Sequence, residues 1–234
     1  MNQETPENKI FIGKSLRVFV SYSTADKKLA GALKVGLEDY GMDVFLAHED
    51  ITPCEEWEQI ILRTLKQTDI FMPLLTKNFK NSSWTDQETG IAVSDQKFII
   101  SLKVNIDPYG FISKYQAFTF TFKEVPTHGG SYSLCADSCL GIIKLILTNK
   151  DLKENLKDCL IRSFINSGSF LDAGSKIIIL DEVDSFSKEQ IDAVIQGSIS
   201  NDQINGSFKT KTFLKKFMQK SGKTPIFRLE ISRF

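Results

Sequence analysis

The sequence predicts a parallel α/β sheet followed by a small, mainly helical region, and three observations lead there. Short apolar runs rich in β-branched and aromatic residues alternate with helix-period segments up to about residue 124. Such alternation requires helical crossovers, hence a parallel sheet covered on both faces. After about Thr127 the alternation stops and helix-period segments follow one another with short connections. The 234 residues, 41% hydrophobic and 25% charged, suit one large domain or two small ones. That usage excludes disordered, collagenous and coiled-coil rod classes.

The elements follow in order. LRVFVSY (16–22) is a short apolar run, as expected of a strand buried on both faces. Ser23-Thr24-Ala25-Asp26 is a set of helix-start residues, and Leu29, Leu33 and Leu37 then recur every four positions until Gly41 ends the helix. MDVFLA (42–47) is a second strand, and HEDITPCEE (48–56) is a loop whose acidic end suits a helix N-terminus. Trp57, Ile60, Ile61 and Leu65 form the apolar face of the next helix. DIFMPLLT (69–76) is the third strand, in which Pro73 fits only at an edge or near the strand's end. Ser82-Ser83 caps a helix running to about Ser94, KFIISLKV (97–104) is the fourth strand, and FTFTF (118–122) is the fifth. In such sheets ligands bind at the carboxyl ends of the strands, which here are Ser21–Thr24, Ala47–Cys54 and Thr76–Trp84.

His128-Gly129-Gly130 breaks the pattern, so a boundary is expected near 124–131, giving domains of 1–124 (core from about 14) and 131–234. Helices are expected at 139–147, 152–165, 188–199 and 211–220, and KIIILDEVD (176–184) is either an amphipathic helix or one buried strand. Residues 207–234 carry Lys209, Lys211, Lys215, Lys216, Lys220, Lys223, Arg228 and Arg233 against Glu230 alone. A solvated helix face accounts for the lysines, and Phe208, Phe213 and Phe217 stand at the spacing of a buried stripe rather than a base-stacking platform. Nucleic acid is therefore not expected as a partner. SGKT (221–224) is not a P-loop, because Phe217 and Met218 fall where its first glycine belongs and Pro225 follows at once.

No run approaches the roughly 18 apolar residues of a membrane span, and the start lacks a basic-then-apolar leader pattern. Cys54, Cys135, Cys139 and Cys159 have neither CxxC spacing nor a nearby histidine. They read as reduced thiols in a cytoplasmic protein without a metal site.

Three blocks then stand in a specific order: VFVSYSTADKKLAGAL, VFLAHEDITPCEEWEQII, and TDIFMPLLTKNF followed by NSSWTDQETGIA. Together they resemble the Toll/interleukin-1 receptor (TIR) domain over roughly residues 14–124. Ser-Tyr-Ser after the first strand and the Trp84-x-x-x-Glu88 segment resemble its enzymatic, largely prokaryotic branch. The resemblance implies a flavodoxin-like five-stranded parallel sheet. It also implies cleavage of the nicotinamide–ribose bond of NAD+, giving nicotinamide and linear or cyclic ADP-ribose, in innate-immune or antiphage defence signalling. NAD+ is then substrate, no cofactor is needed, and the implied partners are other TIR domains and an unidentified sensor or effector protein. One departure is visible: the loop after the second strand usually reads Pro-Gly, and here it reads Pro53-Cys54.

The residues support that chemistry on their own terms. Nicotinamide leaves as a neutral group, so no strong general acid is required, and one carboxylate near the ribose can stabilise an oxocarbenium-like transition state. Glu88 is the expected catalytic carboxylate. Trp84 lies one helical turn before it on the same face, where an indole can stack on a flat ring. Tyr22, Ser23 and Asp50 are expected to line the crevice, and the resemblance adds Trp57 and Phe79. The alternative reading is a non-catalytic TIR interaction module docking through the loop around Ile51–Glu55. The helical region offers no carboxylate, histidine or Gly-rich constellation, so its expected role is regulation or oligomerisation.

Overall fold

The computed structural model describes residues 13–46, 57–119, 121–125, 131–206 and 208–220. β1 (Arg17–Ser21) leads through a 3-10 turn at Thr24–Asp26 into α1 (Lys27–Glu38), and β2 is Asp43–Leu46. Gly41 between them has φ +79°, and a Cβ there would meet the Cys159 carbonyl oxygen at 2.5 Å, so both backbone conformation and space demand glycine. α2 (Trp57–Gln67), β3 (Ile70–Leu75), a short α3 (Lys77–Lys80) and α4 (Ser83–Ser94) follow, then β4 (Phe98–Ile99), β5 (Leu102–Lys103) and β6 (Phe118–Thr119). The strands are parallel in the order β2-β1-β3-β5-β6, with β4 also on β3. β4 and β5 are two pieces of the one strand expected over 97–104, so the architecture is the expected five-stranded parallel sheet flanked by helices, with further helices after it.

β1 and β3 are central and buried, and Phe19, Ile61, Leu65, Phe71 and Ala92 form one core cluster with α2 and α4. Pro73 sits in this central strand, in register with Ser21, and not at an edge. The carbonyls of Phe71 and Leu75 accept from Ile100 and from Val104 and Asn105, so alternation directs the nitrogen of Pro73 to that same side. There the partner strand is interrupted at Ile100–Ser101, between β4 and β5. The missing donor thus coincides with the break in that ladder.

The expected strand at 118–122 is two elements. β6 joins the sheet, whereas Phe122 begins β7 (Phe122–Val125), which pairs antiparallel with β8 (Ser131–Leu134). β8 and α5 (Ala136–Leu147) belong to the same compact unit as the sheet, Gly13–Cys159. β8 lies close on α1: a Cβ at Gly36 would come within 3.0 Å of the Leu134 side chain. The expected boundary at 124–131 therefore falls inside this unit, because the composition shift marks a hairpin and not a linker. The breaker at 128–130 lies outside the described residues.

The chain enters the second unit within α6 (Lys153–Ile165), at Leu160. α7 (Phe170–Leu180), α8 (Lys188–Ser200), α9 (Asp202–Asn205) and α10 (Phe208–Lys220) complete it. Most of 176–184 is thus helix, and α9 was not expected. Ser187 and Gln190 close a reciprocal capping box at the start of α8. Of the expected aromatic stripe Phe213 and Phe217 are core, Phe213 lying 5.9 Å from Phe164 and 5.4 Å from Phe217, which in turn lies 5.0 Å from Phe186; the side chain of Phe208 lies outside the described residues. Within the helices expected at 139–147 and 152–165, Ile142, Ile146, Leu156, Leu160, Ile161 and Phe164 are buried, and Leu145 is at the margin of exposure. Among the described residues no helix is long and apolar enough to cross a membrane.

Candidate functional site

The strand order reverses between β1 and β3, and the carboxyl ends of those two strands are where an open sheet of this topology presents a crevice. Ser21 is the last residue of β1 and is fully buried. α4 packs against β1 and β3 and brings Glu88 to it. The Ser21 hydroxyl donates to Glu88 Oε2. Oε1 of the same carboxylate is buried and has no hydrogen-bond partner among the described residues. Glu88 is 1% exposed, and burial pushes its carboxyl up from an ordinary 4.5 to about 7, opposed only by the Ser21 hydrogen bond. A group so placed is a candidate for chemistry, because it exchanges a proton near neutrality in a low-dielectric setting.

The face of α4 that carries Glu88 is built from polar residues. Thr85, Glu88, Thr89 and Ala92 are its buried positions. Thr85 donates to the Phe79 and Ser82 carbonyls at 2.7 Å each, and Thr89 to the Thr85 carbonyl at 2.6 Å. Their hydroxyls are satisfied locally, so the helix buries them at little cost and leaves Glu88 as its open acceptor. Trp84, one turn earlier, is half-buried.

A second buried carboxylate lies at the same end of the sheet. Asp26, in the turn after β1, accepts from the Thr76 hydroxyl and from the Asn78 amide at 2.9 Å. Thr76 in turn caps α3 by accepting from the Phe79 amide at 3.0 Å. This lock ties the β1–α1 turn to the end of β3.

The other expected residues fall as follows. Tyr22 is fully buried directly after β1, and Ser23 is half-buried at the start of the 3-10 turn. Phe79 is buried with Leu75 and Ile112 and meets Tyr109 edge-on at 6.4 Å. The Tyr109 hydroxyl donates to Asp86 at 2.8 Å, and burial together with that carboxylate raises its pKa. Asp50 lies outside the described residues, as does the side chain of Trp57; its backbone opens α2. The structure thus joins Glu88 to Ser21, a residue expected only as part of the strand-end segment. It also shows Asp26 as a buried acceptor where the sequence reads only as a helix start. A groove of about 800 Å³ between α1 and β8 includes neither Ser21 nor Glu88.

The family model described as "TIR domain" matches residues 18–127. Residues 18–127 are a TIR domain. Among curated proteins nothing matches. Of solved structures, the chain is similar to the TIR domain of the Toll-related Receptor TRR-2 from the lower metazoan Hydra magnipapillata. They share 18% identity with a TM-score of 0.39, over 43% of this chain and 80% of that one. The TIR domain places Ser21 and Glu88 within the matched span, whereas α6 to α10 lie beyond it.

Proposed function

We propose that the TIR domain cleaves NAD+ at the nicotinamide–ribose bond, releasing nicotinamide and giving linear ADP-ribose where water takes its place on the ribose or cyclic ADP-ribose where the substrate's own adenine does. The observation that carries the reading is Glu88: a buried carboxylate with one oxygen held by Ser21 and the other without a partner among the described residues. A ribose hydroxyl is a donor of the kind Oε1 lacks. Ionised Glu88 in a low-dielectric pocket stabilises the positive charge that develops on the ribose as nicotinamide departs. Trp84 then stacks on a flat ring of the substrate, with Tyr22, Ser23 and Phe79 shaping the wall, and Asp50 and Trp57 are proposed as further substrate-binding residues.

Assembly belongs to the same reading. The loop containing Ile51 and Pro53 contacts a second TIR domain, so NAD+ turnover per molecule rises with protein concentration. Changing Ile51 or Pro53 to a charged residue removes that rise. Turnover strictly proportional to enzyme from dilute to concentrated solution means a self-sufficient monomer.

The deciding experiment is product analysis after incubating the purified chain with NAD+, beside Glu88→Gln. Nicotinamide release by the wild type and its loss in the folded variant support the proposal. Equal release by both removes Glu88 from the chemistry. No release by the concentrated wild type leaves the interaction module as the reading.

A further inference from the structure

We propose that Ser21 is a positioning residue for Glu88, its hydroxyl fixing Oε2 and leaving Oε1 for the substrate. The inference rests on the NAD+ reading for its substrate and on the hydrogen bond for its geometry. Ser21 ends β1 in register with Pro73 of β3, one residue beyond the last β1–β2 pair, Val20 with Leu46, so its backbone is held by the sheet. Its side chain is fully buried, and its hydroxyl donates to a carboxylate that is itself buried. A carboxylate on a long side chain has freedom about its last torsion, and a single donor on one oxygen removes it. The second oxygen is then presented in one orientation.

The hydroxyl has a second consequence. A donor favours the ionised carboxylate, whereas burial opposes it, and these are the two causes that act on Glu88. Among the described residues, the ionisable side chains on elements packed against α4 are Arg17 on β1, Glu58, Arg63 and Lys66 on α2, and Lys77 and Lys80 on α3, all exposed, with Tyr109 before the 3-10 turn at Gly110–Ile112 engaged by Asp86 of α4 itself. β3 contributes none. Among the described residues no charge offsets the burial, and the Ser21 hydroxyl is the group that favours the ionised carboxylate.

The test compares wild type, Ser21→Ala and Ser21→Thr, with Glu88→Gln identifying the signal. Glu88 is titrated directly by isotope-edited infrared spectroscopy of its carboxyl band, alongside kcat and KM for NAD+ from pH 5 to 9. Alanine introduces no bulk, so the fold is retained. Loss of a hydrogen bond to a charged group moves the Glu88 midpoint up by about one to two pH units. The rising limb of kcat moves with it, so turnover at pH 7 falls roughly tenfold and recovers towards pH 9, with KM little changed. Threonine restores the midpoint and the profile. An alanine midpoint equal to or below that of the wild type overturns the proposal, whatever the activity. A shifted midpoint in a protein that never cleaves NAD+ sinks the NAD+ reading and the substrate role of Oε1, and keeps only the Ser21–Glu88 coupling. An unshifted midpoint in an active enzyme does the reverse.

Discussion

Two carboxylates, Asp26 and Glu88, are buried at the same end of the same sheet and are treated in opposite ways. Asp26 has both oxygens engaged, one by the Thr76 hydroxyl and one by the Asn78 amide. Glu88 has one oxygen engaged and one without a partner among the described residues. A satisfied buried acceptor contributes rigidity, whereas a half-satisfied one costs stability and persists where something else fills it. The difference separates the part of the crevice that holds the chain together from the part available for chemistry. Burial alone does not tell them apart; the partner count does.

Substitutions break this comparison in graded ways. The largest effect expected is on turnover: Glu88→Gln keeps the shape, removes the charge and lowers NAD+ cleavage by about 100-fold or more. Asp26→Asn, by contrast, leaves cleavage within about tenfold, as for a group that touches no substrate. Both are read as nicotinamide release at saturating NAD+.

The next effect is on stability and has an unusual sign. The Glu88 carboxyl is raised from 4.5 to about 7 by burial. Between those values the folded state holds more proton than the unfolded one, so stability falls as pH rises through the window. Above about pH 7 the full cost, about 3 kcal/mol, is present; below about pH 4.5 it is absent. Glu88→Gln is therefore expected to be more stable than wild type at pH 8, by up to about 3 kcal/mol, and nearly equal to it at pH 4.5. Urea melts at the two pH values check this. A variant less stable at pH 8 means that the charge is compensated in the fold.

Smaller again is the cost of opening the Asp26 lock. Asp26→Ala removes an acceptor of two hydrogen bonds and is expected to destabilise by about 2–3 kcal/mol. Thr76→Ala, which removes one of those donors and the α3 cap, is expected to cost about 1–2 kcal/mol. Coupling between the two in a double-mutant cycle establishes the lock; strict additivity argues that the residues act independently.

The sequence carried the sheet well and the site in part. Buried parallel strands announce themselves as short β-branched runs, and the motif order from Val18 to Ala92 placed Glu88 on a helix beside the first strand. What escaped was set by partners distant in sequence. Ser21 is an ordinary strand-end serine until α4 delivers Glu88 to it, and Asp26 reads as a helix-start residue until Thr76 and Asn78 reach it. The separation of β6 from β7 was hidden because FTFTF alternates throughout, and alternation does not say that the chain leaves one sheet for another after Thr119. The composition shift near residue 127 was real, but it marked a hairpin whose second strand packs on α1, a relation between positions about a hundred residues apart.

Pro73 has a consequence for how the chain finds this arrangement. Strand pairing slips easily by two residues, because such a slip keeps every side chain on its own face. Here segment 97–104 is held on β3 from both ends, Phe98 and Ile99 beside Ile70 and Phe71, and Leu102 and Lys103 beside Leu74 and Leu75. Pro73 gives no hydrogen between those two pieces, so the register rests on the outer pairs alone. Replacing it with valine would be expected to restore one donor to the ladder and to join the two pieces into one strand.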